Sequence, residues 1–523
     1  MVLLQTVALG LTAGCALRSG SVSDSALQAR FPDAALDDRA LCAKLAAAPP
    51  SAAFHDAEPL WRRKVIVSDL HMGAGDWDPR FRGLEDFYAA DVLQRFLDDQ
   101  GAAGPTDLII NGDFLEVWQV LGALDLLPSR DHPVQPPGAP MLASDQEAAV
   151  IALQAIVSAH HQELSAIGRF LNGGDHRVVI VPGNHDADLL WPKVQLALAQ
   201  AIRPSDPARL LFVPGAIYRH GGVHVEHGHR FDSANRTMND RPPFALDTQG
   251  TCRILASWGE VFVARFFNRT EQRFPFVDNL HPESATLLWA LEEEPERLAV
   301  AQSAGLFLEL LLSQQSRALN LAFLKGQLLN MLGLPAGRDD SLGALPGEVG
   351  LQLLDRFSSE DRVLEGIWRV LSDPALAHVA ESLIDAVRAL PDVGAARAAL
   401  NRITPSDIEA LRTVLLGDPQ TTAATRILDE NPALSAVVLG HTHVPGGLVE
   451  DIRSGGRTGH YANSGSWIPV ARVADLRRSG LAWTSLDVRD RRLFPSSFPA
   501  VIIDYAGSQP MRPRVTSTRG SFP

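Results

Sequence analysis

Five short clusters stand out for what their side chains could do together. In chain order they are Asp69-Leu70-His71, Gly112-Asp113-Phe114-Leu115-Glu116, Gly183-Asn184-His185-Asp186, His227-Gly228-His229 and Gly440-His441-Thr442-His443. Carboxylates, neutral imidazoles and a carboxamide oxygen are donors suited to borderline divalent ions such as Mn²⁺, Fe²⁺, Zn²⁺ or Co²⁺. A Ca²⁺ site would carry more carboxylates and no imidazole, and a structural zinc site would carry thiolates. In Asp69-Leu70-His71, and again in His441-Thr442-His443, the donors are two positions apart, so an extended backbone would turn both to one side. Glycines at 112, 183, 228 and 440 suit tight turns that let backbone come close to an ion. If two ions are to sit about 3.5–4 Å apart, one aspartate of so small a donor set must bridge them.

Each cluster follows a short apolar run with the grammar of a buried strand. The runs are Lys64–Ser68, Asp107–Asn111, Arg177–Val181, Gly222–Glu226 and Ala436–Leu439. Helix-like stretches, Ala89 to Gln100 and Gln146 to Leu171, separate the first three. Strand–helix alternation predicts an α/β sheet with crossover helices, and open α/β sheets gather their sites at the C-terminal ends of the strands. Ser129 to Pro140, with four prolines, reads as a surface loop. Residues 246–432 differ: Ser284–Ala301, Gly305–Leu332, Gly350–Leu371, Pro374–Leu390 and Pro405–Leu416 have helical apolar spacing between Gly and Pro breaks. This block is expected to be a mostly helical insertion between a first core segment, 59–245, and a second, 433–506. Strand grammar returns through Ser464-Gly465-Ser466 and Leu481–Leu486, and the tail 507–523 is expected to fray.

With 523 residues, 46% hydrophobic and 21% charged, the chain has the balance of an ordinary globular protein and enough length for a large core. The 47 basic side chains face 61 acidic ones, for a net charge of −14, and that field repels a nucleic acid unless bound cations or a local basic groove reverse it. No window reaches the ~18 uninterrupted apolar residues of a spanning helix; Leu306–Leu329 comes nearest and is broken by Glu309, Arg317 and Lys325. Three cysteines, Cys15, Cys42 and Cys252, cannot form a disulfide framework, and Cys42 and Cys252 are expected as separate buried thiols rather than a bridge. The stretch ending at Cys15 is similar to a bacterial lipoprotein signal. It lacks a preceding Lys or Arg, however, and has Thr12 where an aliphatic residue is usual, so residues 1–58 read rather as an N-terminal extension, with the lipoprotein signal as the alternative. A cytoplasmic or peripheral location is preferred to an envelope one anchored through Cys15.

The five clusters together resemble the calcineurin-like metallophosphoesterases, whose motif runs D-x-H, G-D-x-x-[DE], G-N-H-[DE], H and G-H-x-H. The likeness covers about 62–245 and 433–505, and is nearest in detail to the UDP-2,3-diacylglucosamine pyrophosphatase-like branch, with His229 in place of the usual acid. The resemblance implies a four-layer αββα sandwich and a binuclear site. One ion would lie on Asp69, His71, Asp113 and His443, the other on Asp113, Asn184, His227 and His441. Mn²⁺ is preferred, with Fe²⁺, Zn²⁺ or Co²⁺ as alternatives. It further implies that His185 faces substrate with Asp186 fixing its ring, and that a metal-bridging hydroxide attacks a phosphoester or pyrophosphate. Glu116 stands where a purple acid phosphatase carries tyrosine, so it is expected behind the ligands rather than on an Fe³⁺. His229 is either a support for the site, a contact to substrate, or neither. The substrate expected is a small or lipid-linked phosphoester, with the insertion as a cap over the site or as a packing surface. A nucleotide or nucleic-acid phosphodiesterase and a non-catalytic metal-binding scaffold are the alternatives; the oligomeric state is left open.

Overall fold

The computed structural model describes residues 24–47, 53–128, 142–231, 235, 244–257, 259–260, 263–281, 402, 419–444, 446–454 and 456–517. Its centre is a pair of six-stranded mixed sheets. The first runs in the order Arg514–Ser517, Pro499–Ile503, Arg63–Val67, Thr106–Asn111, Arg177–Val181, Leu210–Phe212. Its last four strands are parallel, in register Val65↔Leu108↔Val178↔Leu210. The second runs Ala53–His55, Ile217–His220, Val223–Glu226, Ala436–Leu439, Arg457–Asn463, Leu448–Ser454, with Val223–Glu226, Ala436–Leu439 and Arg457–Asn463 parallel. The chain is therefore of the α/β class.

Period-two alternation within the strands explains how the sheets are covered. Ile66, Ile109, Val179 and Val181 from the first sheet share one buried cluster with Tyr218, Val223, Val225, Ala436, Val438 and Ala462 from the second. The alternate residues Val65, Val67, Leu108, Ile110, Val178 and Ile180 join the cluster of the helices, including Val92, Leu93, Phe96 and Leu97 of Ala90–Ala102. Both faces of these strands are dry, which is why they read as unbroken apolar runs. On the far side, Val437, Leu439 and Tyr461 pack against Ala424, Ile427 and Leu428 of the helix Pro419–Glu430. Among the described residues, no helix is long and apolar enough to cross a membrane.

Several expectations change. The stretch Gln146 to Leu171 is two helices, Gln146–Ala159 and His161–Asn172, broken at His160, whose ring is held by Glu85 and Glu163. Leu481–Leu486 is not a strand but a turn ending in a short 3₁₀ segment, Trp483–Ser485; its leucines serve a separate apolar cluster with Phe494. The tail beyond Gly507, expected to fray, supplies the edge strand Arg514–Ser517 against Pro499–Ile503. The N-terminal extension is integrated wherever it is described. Leu27, Leu41 and Cys42 lie in the main core cluster, and Ala53–His55 pairs with Ile217–His220. Cys42 is bridged to Cys252, Cα atoms 5.4 Å apart, rather than being a separate thiol. Of 246–432, the ends pack on this framework: Cys252–Leu255 pairs with Leu142–Asp145, and Pro419–Glu430 covers the second sheet. The five helical stretches expected within 284–416 and the loop 129–140 lie outside the described residues.

Candidate metal centre

The five clusters converge at one end of the two sheets. Asp69–His71, Gly112–Glu116 and Gly183–Asp186 follow the strands Arg63–Val67, Thr106–Asn111 and Arg177–Val181 of the first sheet. His227–His229 and Gly440–His443 follow Val223–Glu226 and Ala436–Leu439 of the second. Asn111 joins the sheets there: its Nδ2 donates to Glu226 O at 3.0 Å, and its own carbonyl accepts from His227 Nδ1 at 2.9 Å. The donors do not converge through extended backbone. Asp69, His71, Asp113, His441 and His443 all have positive φ, between 46° and 69°. The left-handed region costs a non-glycine residue about 1–2 kcal/mol and is concentrated at functional sites, where neighbours over-determine it.

Two groups of three donors result, each within 4.8 Å: Asp69, His71 and His443, and Asp113, His227 and His441. Asp113 Oδ2 lies between them, 2.9 Å from His227 Nε2 and 3.8 Å from His71 Nε2. Asp69 Oδ1 is 3.1 Å from His443 Nε2 and 3.9 Å from His227 Nε2. The ring nitrogens of His71 and His443 face each other at 3.3 Å. Both amide atoms of the buried Asn184 have no hydrogen-bond partner, and Asp69 Oδ1 and His227 Nε2 face His443 and Asp113 without a well-aligned bond. A buried polar atom without a partner is costly, and a cation would satisfy all the oxygens and the imidazole lone pair together, so the residues present fit divalent ions. His185 stands close enough to His71 and Asp113 to form a third such group.

Asp186 does not orient His185. Its Oδ2 accepts from the backbone of Phe114 and Leu115 at 2.7 and 3.3 Å and its Oδ1 from Gly183 N at 2.6 Å, so it staples two ligand loops together. Glu116 orients the ring instead. It lies behind the ligands, with Oε2 2.8 Å from His71 Nδ1 and both oxygens against His185 Nδ1, Oε2 at 2.7 Å and Oε1 at 2.9 Å, and it also accepts from Gln119 N. Both imidazoles thereby turn Nδ1 to Glu116 and Nε2 towards the centre. His185 is stacked on Trp118, ring centroids 4.1 Å apart, a contact the sequence did not single out. Gly183 is obligatory for a different reason from a turn: a methyl group there would fall on the Asp113 carboxylate.

Other supports come from residues outside the motifs. Gln420, at the start of Pro419–Glu430, donates to Gly440 O at 2.8 Å and accepts from Tyr461 and Asn463 at 2.9 and 2.8 Å, fixing the His441–His443 loop. Nothing in a helical pattern marks such a residue. Ser68 bonds Asp69 Oδ2 and Ser464, and Ser466 donates to Asp69 O at 3.1 Å, so Asn463–Ser466 buttresses the first ligand. His229 lies 5.6 Å from His227 and 6.4 Å from His441, ring to ring; burial and those two imidazoles hold its pKa well below the usual value, so it is neutral.

Charge is tightly organised. Burial alone would raise the carboxylates, yet His227 and its neighbours hold Asp113 well below the ordinary range and Asp69 below it. Glu116 is held at about 2 in the same way by His185 and His71. Burial alone would lower the imidazoles, but carboxylate partners raise His71 to about 10 and His227 to about 9. The open side of the site is at His185 and His443, whose side chains are 19% and 21% exposed while His227 and Asp69 are fully covered. No protein-family model matches the chain, and no curated protein matches it.

Proposed function

We propose that the chain is a binuclear metal-dependent phosphohydrolase cleaving a phosphoester or pyrophosphate bond, on a four-layer αββα sandwich of the metallophosphoesterase type. What carries the proposal is Asp113, a buried carboxylate standing between His71 on one side and His227 on the other, amid buried donors that lack well-aligned partners. The shared core between two sheets, with helices on both outer faces, supports the sandwich. Asp69, His71, Asp113 and His443 would hold one divalent ion, and Asp113, Asn184, His227 and His441 the other, Mn²⁺ before Fe²⁺, Zn²⁺ or Co²⁺. Bound there, such a pair supplies Lewis acidity towards phosphoryl oxygens and lowers the pKa of water.

The chain's own residues do the rest. His185 lies on the open side, its Nδ1 tied to Glu116 and one face closed by Trp118, so Nε2 is the atom that can hold a proton and pass it to the leaving oxygen. Substrate enters past His185 and His443, where the side chains are exposed. The test is turnover of a chromogenic phosphodiester, then a panel of mono-, di- and pyrophosphoesters including nucleotides, with Mn²⁺ added to the full chain. His185→Ala is expected to lose about 10²- to 10⁴-fold in kcat. Two bound Mn²⁺ with no turnover of any member of the panel would favour a non-catalytic metal-binding scaffold.

A further inference from the structure

Beyond the His-lined centre lies a second gathering of carboxyls. Asp86, Glu271 and Asp278 each offer an oxygen within 4.8 Å of the others. They come from three places in the chain. Asp86 is in the segment after Asp69–His71, Glu271 ends the short helix Asn268–Glu271, and Asp278 precedes the strand Leu280–His281. Asp86 and Glu271 are 2% and 0% exposed. The other charges that act on Glu271 are negative: Asp278, Asp86 and Glu116. Carboxyls so placed must either hold protons, as the hydrogen bond between Asp86 and Asp278 requires, or take a positive partner.

Two buried carboxamides, from different elements, point to what that partner is. Gln119, on the helix that begins after Glu116, donates Nε2 to Glu271 Oε2 at 2.7 Å, and Asn279 donates Nδ2 to Asp86 Oδ1 at 3.1 Å. Gln119 is 3% exposed and Asn279 0%, and in both the carboxamide oxygen has no donor. Glu271 Oε1 and Asp278 Oδ1 also lack partners. A half-turn of each amide exchanges its oxygen for its nitrogen and brings the unsatisfied oxygen onto the carboxyls.

We propose that Asp86, Glu271 and Asp278, with the carboxamide oxygens of Gln119 and Asn279, bind one further hard divalent cation, Ca²⁺ or Mg²⁺, sharing no donor with the His-lined centre. The donor set is all oxygen, with neither imidazole nor thiolate, which suits those ions and not the borderline metals of the neighbouring site. Without a cation, burial and mutual repulsion push Glu271 and Asp278 well above the usual carboxyl range and Asp86 up to about 6, so the cluster carries protons that an ion displaces. The bound ion ties the helix behind Glu116 to the segment 263–281, which Asn268 already fastens by donating to Gln119 O at 2.7 Å.

The experiment uses the full chain, stripped with chelator, reloaded with Mn²⁺ and equilibrated separately with Ca²⁺ and Mg²⁺. Bound metals are counted by elemental analysis and thermal melting is followed in parallel. One equivalent of Ca²⁺ or Mg²⁺ is expected per chain, with a rise in melting temperature. Glu271→Gln and Asp278→Asn should each lose that equivalent and keep the Mn²⁺ count of the wild type. A wild-type chain that takes up neither ion, or variants that keep the equivalent, would overturn the proposal; the wild-type count decides even if both variants misfold. A wild type that binds Ca²⁺ but no Mn²⁺ upholds this site and sinks the binuclear centre.

Discussion

Glu116→Gln is the sharpest single perturbation of the centre. The glutamate accepts from two Nδ1–H groups, His71 at 2.8 Å and His185 at 2.9 Å. Glutamine keeps one acceptor oxygen and turns the other into an NH₂ that meets an Nδ1–H head-on. The two imidazoles must then share the remaining oxygen, as Oε2 now stands 2.8 and 2.7 Å from their Nδ1 atoms, or one of them must flip its tautomer. If it is His71, its Nε2 becomes N–H and can no longer ligate; if it is His185, the proton register at the leaving-group position changes. Losing one hydrogen bond to a charged group is worth about 1.5–3 kcal/mol, and partners that orient metal-bound histidines typically account for about 10- to 100-fold in affinity or activity. At ~1.4 kcal/mol per tenfold, the two figures agree. Calorimetric titration of chelator-stripped protein with Mn²⁺, and kcat/KM on a chromogenic phosphodiester at saturating Mn²⁺, should show a loss of that size in at least one quantity. If both stay within about twofold of the wild type, Glu116 does not set the histidine tautomers and the reasoning fails.

Asp113→Asn, which preserves shape and removes charge, should abolish turnover and empty both metal positions; elemental analysis finding two ions still bound would refute the shared carboxylate. In the metal-free protein His71 and His227 titrate at about 10 and about 9 against an ordinary 6.5. Both pKa values are raised on folding, so their contribution is complete below about pH 6.5 and is lost as the pH climbs towards 10. The melting temperature of stripped protein should therefore fall across that window, while Mn²⁺ affinity should rise because each imidazole must shed a proton to bind; titration in weak buffer that records no proton release would contradict this. The Cys42–Cys252 bridge spans 210 residues, for which chain entropy sets a ceiling of about 5 kcal/mol. The double serine variant should unfold at lower urea, and an unchanged midpoint would show that the link carries no stability. Gly183→Ala should cost metal affinity, read by the same Mn²⁺ titration, because the new methyl group displaces Asp113.

The parts legible in the sequence are those where composition and backbone demand coincide. Arg63–Val67, Thr106–Asn111 and Arg177–Val181 are buried on both faces, so β-branched runs announce them. The donor clusters were visible because each sits in a strand-end loop, and four of the five contain a glycine. What stayed hidden depends on partners far along the chain. A helical pattern such as Pro419–Glu430 says which face is apolar but not that it closes the second sheet or that Gln420 will clamp Gly440. Asp186 adjoins His185 in the sequence and Glu116 adjoins no histidine, yet the turn at 183–186 leaves the first serving backbone amides while the second serves the rings. Leu481 and Leu486 have strand-like surroundings, but they fill the cluster around Phe494 from a turn. Cysteine spacing carries no geometry across such a separation.

The donors are divided between the two sheets, with Asp69, His71, Asp113 and Asn184 on one and His227, His441 and His443 on the other. Any ion gripped by both sets is a clasp across the seam of the molecule. Starving the protein of metal would then do more than stop turnover: it would loosen the seam itself, and resistance to denaturant or protease would become a gauge of the divalent ions in its surroundings.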